Sequence, residues 1–566
     1  MIHKKIISSP GKKTELCGSI PINMMWKGLK LSLLGLVAFT QLQAQAPARP
    51  KLVVGVVLDQ MRWDYLYRYA DRYGKGGFKR LMNEGFNCEN TSIVHLPSYT
   101  APGHATIYTG SVPALHGIAA NDWINRKGAQ EMYCTQDDSV MTVGSSSKAG
   151  MMSPKNLLAT TVTDELRLAT NFRNKTIGIS LKDRGAILPA GHTANAAYWF
   201  DASNGAFISS TFYGKALPGW LNDFNQRKVT DSLLSIDWNP LYPINTYTQS
   251  TADDNAYESK LKGEQTPTFP HKLKSFIDTD KGVIRTTPWG NTLTRLMAEA
   301  AIKGEALGKS GQTDFLAVSF SSTDYIGHFF APNSIEIEDC YLRMDKELEL
   351  LLNFLDKQVG AGNYTLFLTA DHGGAHNVTF LKDAKIPGEN VNEKSVHKSL
   401  NDALKKGLGV SELVVFSNYQ VYFNEDLMQK HKIDREKAVK LCKDYLVNME
   451  GVAFVLDMKD ADKNIIPKKV LEMAVNGYHP NRSGDLQVIL EPGFYSGYGS
   501  TGTTHGSWNP YDTRIPLLFY GWGIKKGSSF APYHMTDIAP TIAALLRIQE
   551  PNACIGTPIT EALRER

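Results

Sequence analysis

Six side chains of metal-binding type stand at the ends of short apolar runs or in a glycine-rich loop. Asp59 follows Leu52–Leu58, Asp324 and His328 follow Phe315–Phe320, Asp371 and His372 follow Tyr364–Thr369, and His505 lies within Gly499–Gly506. Alone, each aspartate is a turn former or helix cap, and each histidine a satisfied polar residue. Three carboxylates gathered at one place repel one another unless cations are present. Imidazole with carboxylate suits Zn²⁺ ahead of Mn²⁺ or Fe, while Mg²⁺ and Ca²⁺ want more oxygen, and six ligands are enough for two zinc ions. A dinuclear site also needs a nucleophile. Thr100 precedes Ala101-Pro102-Gly103, and proline in a first turn places Thr100 at a helix N-terminus, beside free backbone N–H groups and the positive end of the dipole. A plain N-cap would look the same from local sequence.

The elements that must bring these residues together are legible as short, β-branched apolar runs: 52–58, 176–181, 315–320, 364–369, 486–490 and 515–520. They lack clean alternation, which belongs to strands covered on both faces. Leu293, Leu296, Met297, Ala300 and Ala301 recur at helical spacing, as do Ile538, Ile542, Leu545 and Leu546. The expected class is α/β, with a mainly parallel central sheet and helices on both faces. In such sheets the carboxyl ends of the strands share one crevice. One catalytic domain is expected over 45–566, with insertions at about 186–285 and 380–484, where the patterning weakens.

With 42% hydrophobic residues the chain is too apolar for disorder. The formal charge of +4 does not point to nucleic acid, because six of the 61 basic and one of the 57 acidic residues fall in the first 44, leaving 55 against 56. Lys27 and Lys30 precede an apolar run from Leu31 to Phe39 and then small residues, the layout of a secretory signal peptide over 1–44. Cleavage fits after Ala44 better than after Ala46, and translation could begin at Met24 or Met25. No later stretch approaches the ~20 apolar residues of a membrane helix. Five scattered cysteines remain beyond the leader, with no CxxC pair and room for one or two bridges. Gly304–Ser310 has three residues between its glycines where a P-loop needs four, and it follows a helical pattern.

The segments GVVLDQMRWDYL, YTAPGHATIYTGSVPALHGIAANDW, SLKDRGAI, STDYIGHFF, LTADHGG, TTHGSWNPYDTRIPLLFYG and TDIAPTIAALL occur in order along the chain. Their set resembles the alkaline phosphatase superfamily, closest to the PafA-type phosphate-irrepressible bacterial enzymes with a threonine nucleophile. The resemblance implies one zinc ion on Asp324, His328 and His505, and a second on Asp59, Asp371, His372 and the Thr100 oxygen. It further implies that Asn121 binds a nonbridging phosphoryl oxygen and that Lys182 and Arg184 grip the transferred group. A periplasmic or secreted monomer hydrolysing small-molecule phosphate monoesters through a phosphothreonine follows from it. Two cations on the terminal oxygens favour a dianionic monoester over the diesters cleaved by nucleotide pyrophosphatase/phosphodiesterase relatives. A non-catalytic, zinc-stabilised envelope binding protein is the remaining reading, although neither the nucleophile nor any ligand is missing.

Overall fold

The computed structural model describes residues 48–126, 129–497 and 499–564, and the expected leader at 1–44 lies outside them. Residues Arg49–Arg566 form one compact unit. Its centre is a ten-stranded sheet built from β1 (Leu52–Leu58), β2 (Phe86–Cys88), β3 (Thr142–Val143), β4 (Thr176–Ser180), β5 (Ala196–Asp201), β6 (Ala206–Ser210), β7 (Asp314–Phe320), β8 (Tyr364–Thr369), β9 (Leu517–Gly521) and β10 (Gly527–Ser529). The spatial order is β10-β2-β9-β8-β1-β7-β4-β5-β6-β3. The five strands β8-β1-β7-β4-β5 are parallel, whereas β9, β6 and β3 pair antiparallel at the flanks.

Every residue of β1, β7 and β8 is buried. Since side chains alternate across a strand, both faces are covered, which is why these runs show no polar alternation. The covering helices include α1 (Thr100–Thr109), α2 (Asp183–Ala190), α3 (Trp289–Gly304), α4 (Ser322–Phe330), α5 (Ile335–Leu355) and α6 (Ile538–Leu546). Helix α3 packs on β7 and β4, and α2 on β4 and β5, with α1 against α2. Register sets the functional edge: Leu58 lies level with Phe320, Val57 with both Ser319 and Thr369, and Ser319 with Ser180.

Two expected strands sit differently. Leu486–Leu490 joins a separate four-stranded antiparallel sheet with Val414–Ser417, Gln420–Phe423 and Val452–Asp457, which has its own apolar core. The run at 515–520 divides, Arg514–Ile515 pairing with Thr91–Ser92 while β9 enters the central sheet antiparallel. A buried apolar run carries no mark of which sheet it joins or of its direction. The five cysteines are unpaired, so no bridge forms.

Candidate metal centre

The parallel register delivers the ligands. Asp59 leaves β1 with its N–H bonded to the Phe320 carbonyl at 3.1 Å. Helix α4 begins two residues beyond β7, carrying Asp324 in its first turn and His328 one turn later, so both point to one face and His328 Nε2 lies 3.1 Å from Asp324 Oδ1. Asp371 and His372 follow β8, with His372 Nε2 3.4 Å from Asp59 Oδ1 and 3.6 Å from Asp371 Oδ2. His505 arrives from its loop, its ring stacked on that of His372 at 3.4 Å and its Nε2 3.8 Å from Asp324 Oδ1.

Two sets of donor atoms are each close enough to share an ion: Asp324, His328 and His505, and Asp59, Asp324 and His372. Asp371 borders the second set and turns Oδ2 to within 3.1 Å of His104 Nδ1. All three imidazoles face a backbone carbonyl through Nδ1: Thr503 for His328 at 2.7 Å, Gly373 for His372 at 2.9 Å and Ser98 for His505 at 2.8 Å. A carbonyl only accepts, so Nδ1 carries a proton and Nε2 is the ring nitrogen turned toward the carboxylates, the arrangement a metal-binding imidazole needs.

The electrostatics also fit cations. Burial, with Asp324 and Asp371 adding to it, pushes the Asp59 carboxyl well above its usual range. Burial opposes ionisation of Asp324 too, yet His328 and Lys182 hold it well below that range. Burial and the neighbouring His372 and His328 depress His505, which keeps its imidazole neutral. Asp59 Oδ1 is buried without a hydrogen-bond partner, and Asp371 Oδ2 has the His104 imidazole beside it. Lys182, the last residue before α2, bridges Asp59 and Asp324, its Nζ 2.7 Å from Asp59 Oδ2 and 2.6 Å from Asp324 Oδ2. The donor set and the unpartnered Asp59 Oδ1 suit bound divalent metal.

Thr100 opens α1, fully buried, with Oγ1 3.3 Å from His372 Nε2. The helix reaches this depth because Gly103 lies against Asp371, where a Cβ would stand 2.5 Å from the Asp371 carbonyl oxygen. Asn121 Oδ1 accepts the Ala101 N–H at 2.9 Å, which ties Asn121 to the same helix end and satisfies one of its orphan donors. Arg184 donates from one terminal nitrogen to the Tyr133 hydroxyl at 3.0 Å, while its buried Nε has no partner. The sequence had left His104 and His376 open. His104 lies one turn along α1 from Thr100, bonding the Thr100 carbonyl at 2.9 Å and Ser319 Oγ at 2.8 Å, so its i+4 spacing was the signal. His376 pairs with Asn333 Oδ1 at 2.7 Å, away from the ligands. Gln60, which no motif singled out, touches Asp324 and Asp371.

Residues 53–512 match the family model described as type I phosphodiesterase / nucleotide pyrophosphatase. A protein of Myroides odoratus named calcium-transporting ATPase is 54% identical over 93% of this chain and 97% of its own length. The alkaline phosphatase PhoV of Synechococcus elongatus is 53% identical over 92% and 94%. The crystal structure of wild-type alkaline phosphatase PafA is 49% identical, covers 92% of this chain and 100% of its own, and superposes with a TM-score of 0.91.

Proposed function

The chain belongs to the type I phosphodiesterase / nucleotide pyrophosphatase family, within the alkaline phosphatase superfamily, and from that premise we propose that it is an exported, zinc-dependent alkaline phosphatase releasing phosphate from monoesters through a phosphothreonine. The observation that carries the reading is the Thr100 hydroxyl, held at the N-terminus of α1 and 3.3 Å from His372 Nε2 inside the carboxylate–imidazole cluster. Asp324, His328 and His505 would hold one zinc ion, and Asp59, Asp371, His372 and Thr100 a second. Bound zinc supplies Lewis-acid stabilisation of negative charge on oxygen.

The chain's own groups do the rest. Thr100 Oγ1, its proton lost to solvent, attacks phosphorus in line, forming the Thr–O–P bond as the bond to the leaving oxygen breaks and that oxygen takes up a proton from water. The N-terminus of α1 favours negative charge at that oxygen. Asn121 and Arg184 bind nonbridging oxygens of the transferred group, and Lys182 brings a second cation to it. Water then attacks phosphorus from the side that the leaving group vacated, which frees phosphate and restores Thr100.

The nucleotide-pyrophosphatase description of the family keeps diester cleavage as the second reading. Lys182 and Arg184 favour the dianionic monoester. Among the described residues no helix is long and apolar enough to cross a membrane. The exported protein acts as a monomer in the periplasm or outside the cell, binds no nucleic acid, and begins near residue 45, which N-terminal sequencing checks.

The test is an acid quench during turnover of an aryl phosphate, with mass mapping of the phosphorylated residue and elemental analysis of the purified chain. Phosphate on Thr100 with about two zinc ions per chain is expected. A phosphorylated residue elsewhere, or faster hydrolysis of a bis-aryl phosphate than of the monoester, would sink the assignment.

A further inference from the structure

Gln60 follows Asp59 directly, is buried, and adopts a left-handed backbone conformation at φ +63°. A residue with a Cβ enters that region at a cost in energy, and it persists only where surrounding structure holds it there. Both of its donors reach carboxylates from other elements. The backbone N–H bonds Asp371 Oδ1 at 3.2 Å, and the side-chain Nε2 bonds Asp324 Oδ1 at 2.9 Å. A carboxylate only accepts, which fixes the amide with its NH₂ toward Asp324. The slot for the amide is kept open by two glycines, since a Cβ on Gly327 of α4 would collide with Gln60 Oε1 and one on Gly374 would come within 3.2 Å of it.

We propose that Gln60 is a positioning residue that locks the two ligand groups to one another, one donor on the carboxylate from α4 and the other on the carboxylate after β8, so that their separation is set before any ion arrives. The inference rests on the two-metal reading above. Each carboxylate oxygen has more than one lone pair, so a bond from Gln60 to Asp324 Oδ1 leaves capacity on that oxygen for a cation while fixing the direction in which it points. The left-handed turn is what aims the N–H of Gln60 and its side chain at different carboxylates.

The experiment compares full-length parent, Gln60→Gly and Gln60→Met proteins loaded with zinc and titrated with a competing chelator, reading zinc per chain by elemental analysis. The glycine variant keeps the N–H to Asp371 and suits the positive φ while removing the whole side chain with its amide. The methionine variant keeps the volume and removes the donor. Each is expected to bind zinc about 10- to 100-fold more weakly than the parent, with the unfolding midpoint of the metal-stripped glycine variant no lower than the parent's. A Gln60→Gly protein that keeps zinc as tightly as the parent overturns the inference and leaves the metal reading standing. So does one whose only change is a lower midpoint without metal. A parent that holds no divalent metal overturns both.

Discussion

Thr100 Oγ1 lies 3.3 Å from His372 Nε2, although 272 residues separate them in the chain. The hydroxyl is thereby fixed inside the ligand cluster by two independent supports, the start of α1 and the end of β8. Thr100→Ala should therefore lower kcat on an aryl phosphate by about a thousand-fold or more with circular dichroism unchanged, as removal of a nucleophile does. Thr100→Ser should keep measurable turnover and carry label on serine. An alanine variant at parental rate would exclude the covalent route.

Arg184 offers a buried Nε with no partner, and its loss should weaken monoester turnover specifically. Arg184→Ala should reduce kcat/KM for an aryl phosphate by about 2–3 kcal/mol, the scale of a hydrogen bond to a charged group. A bis-aryl phosphate, with one charge fewer to grip, should lose less. Equal losses on both esters would remove the discriminating role.

Chelation should abolish activity, and added Zn²⁺ should restore it. It should also lower the thermal midpoint, because the buried carboxylates of Asp59, Asp324 and Asp371 then repel one another with Lys182 bridging only the first two. Calorimetry of loaded and stripped protein reads this directly, and an unchanged midpoint would contradict ligation by these residues.

Gly103→Ala tests the packing that seats the nucleophile. The added methyl would meet the Asp371 carbonyl oxygen at 2.5 Å, so either α1 or the segment after β8 must shift. Overpacking of this kind costs about 1–3 kcal/mol, and here the displaced groups are Thr100 and Asp371, so activity should fall further than stability. Parallel urea titration and kinetics separate the two, and a variant with parental kinetics would show the contact to be slack.

His271, remote from the centre, gives the fold a pH dependence of definite sign. Burial works against its protonation, but hydrogen bonds to Glu264 and Glu336 raise its pKa to about 9. The unfolded value is near 6.5, so the folded chain holds the extra proton between them. The contribution is full below about pH 6.5 and is lost as pH rises toward 9, on the order of 3 kcal/mol at most. The thermal midpoint should decline across that window, and His271→Gln should flatten the slope. A parent whose midpoint rises from pH 6.5 to 9 would reverse the assignment.

Much of this was legible because parallel strands write their ends plainly: an unbroken apolar run followed by Asp59, Asp371 or the start of α4 says where the edge is. Thr100 was legible from Pro102. The homeless parts are those whose meaning depends on distant neighbours. Leu486–Leu490 has the same composition as a central strand and pairs in another sheet. Gln60 draws its significance from Asp324 and Asp371, hundreds of residues away, and an isolated glutamine carries no periodicity. Lys182, expected to grip the transferred group, also bridges Asp59 and Asp324, a contact that no local sequence announces.

The level finish of β1, β7 and β8 also divides the molecule by how it tolerates length change. Deleting one residue within β1 would turn Asp59 to the opposite side of the sheet and dismantle the cluster, because side chains alternate at every step. His505 hangs from a loop that joins no strand within several residues, where an insertion is better tolerated. Length change should therefore be tolerated around the His505 loop and not between Leu52 and Asp59.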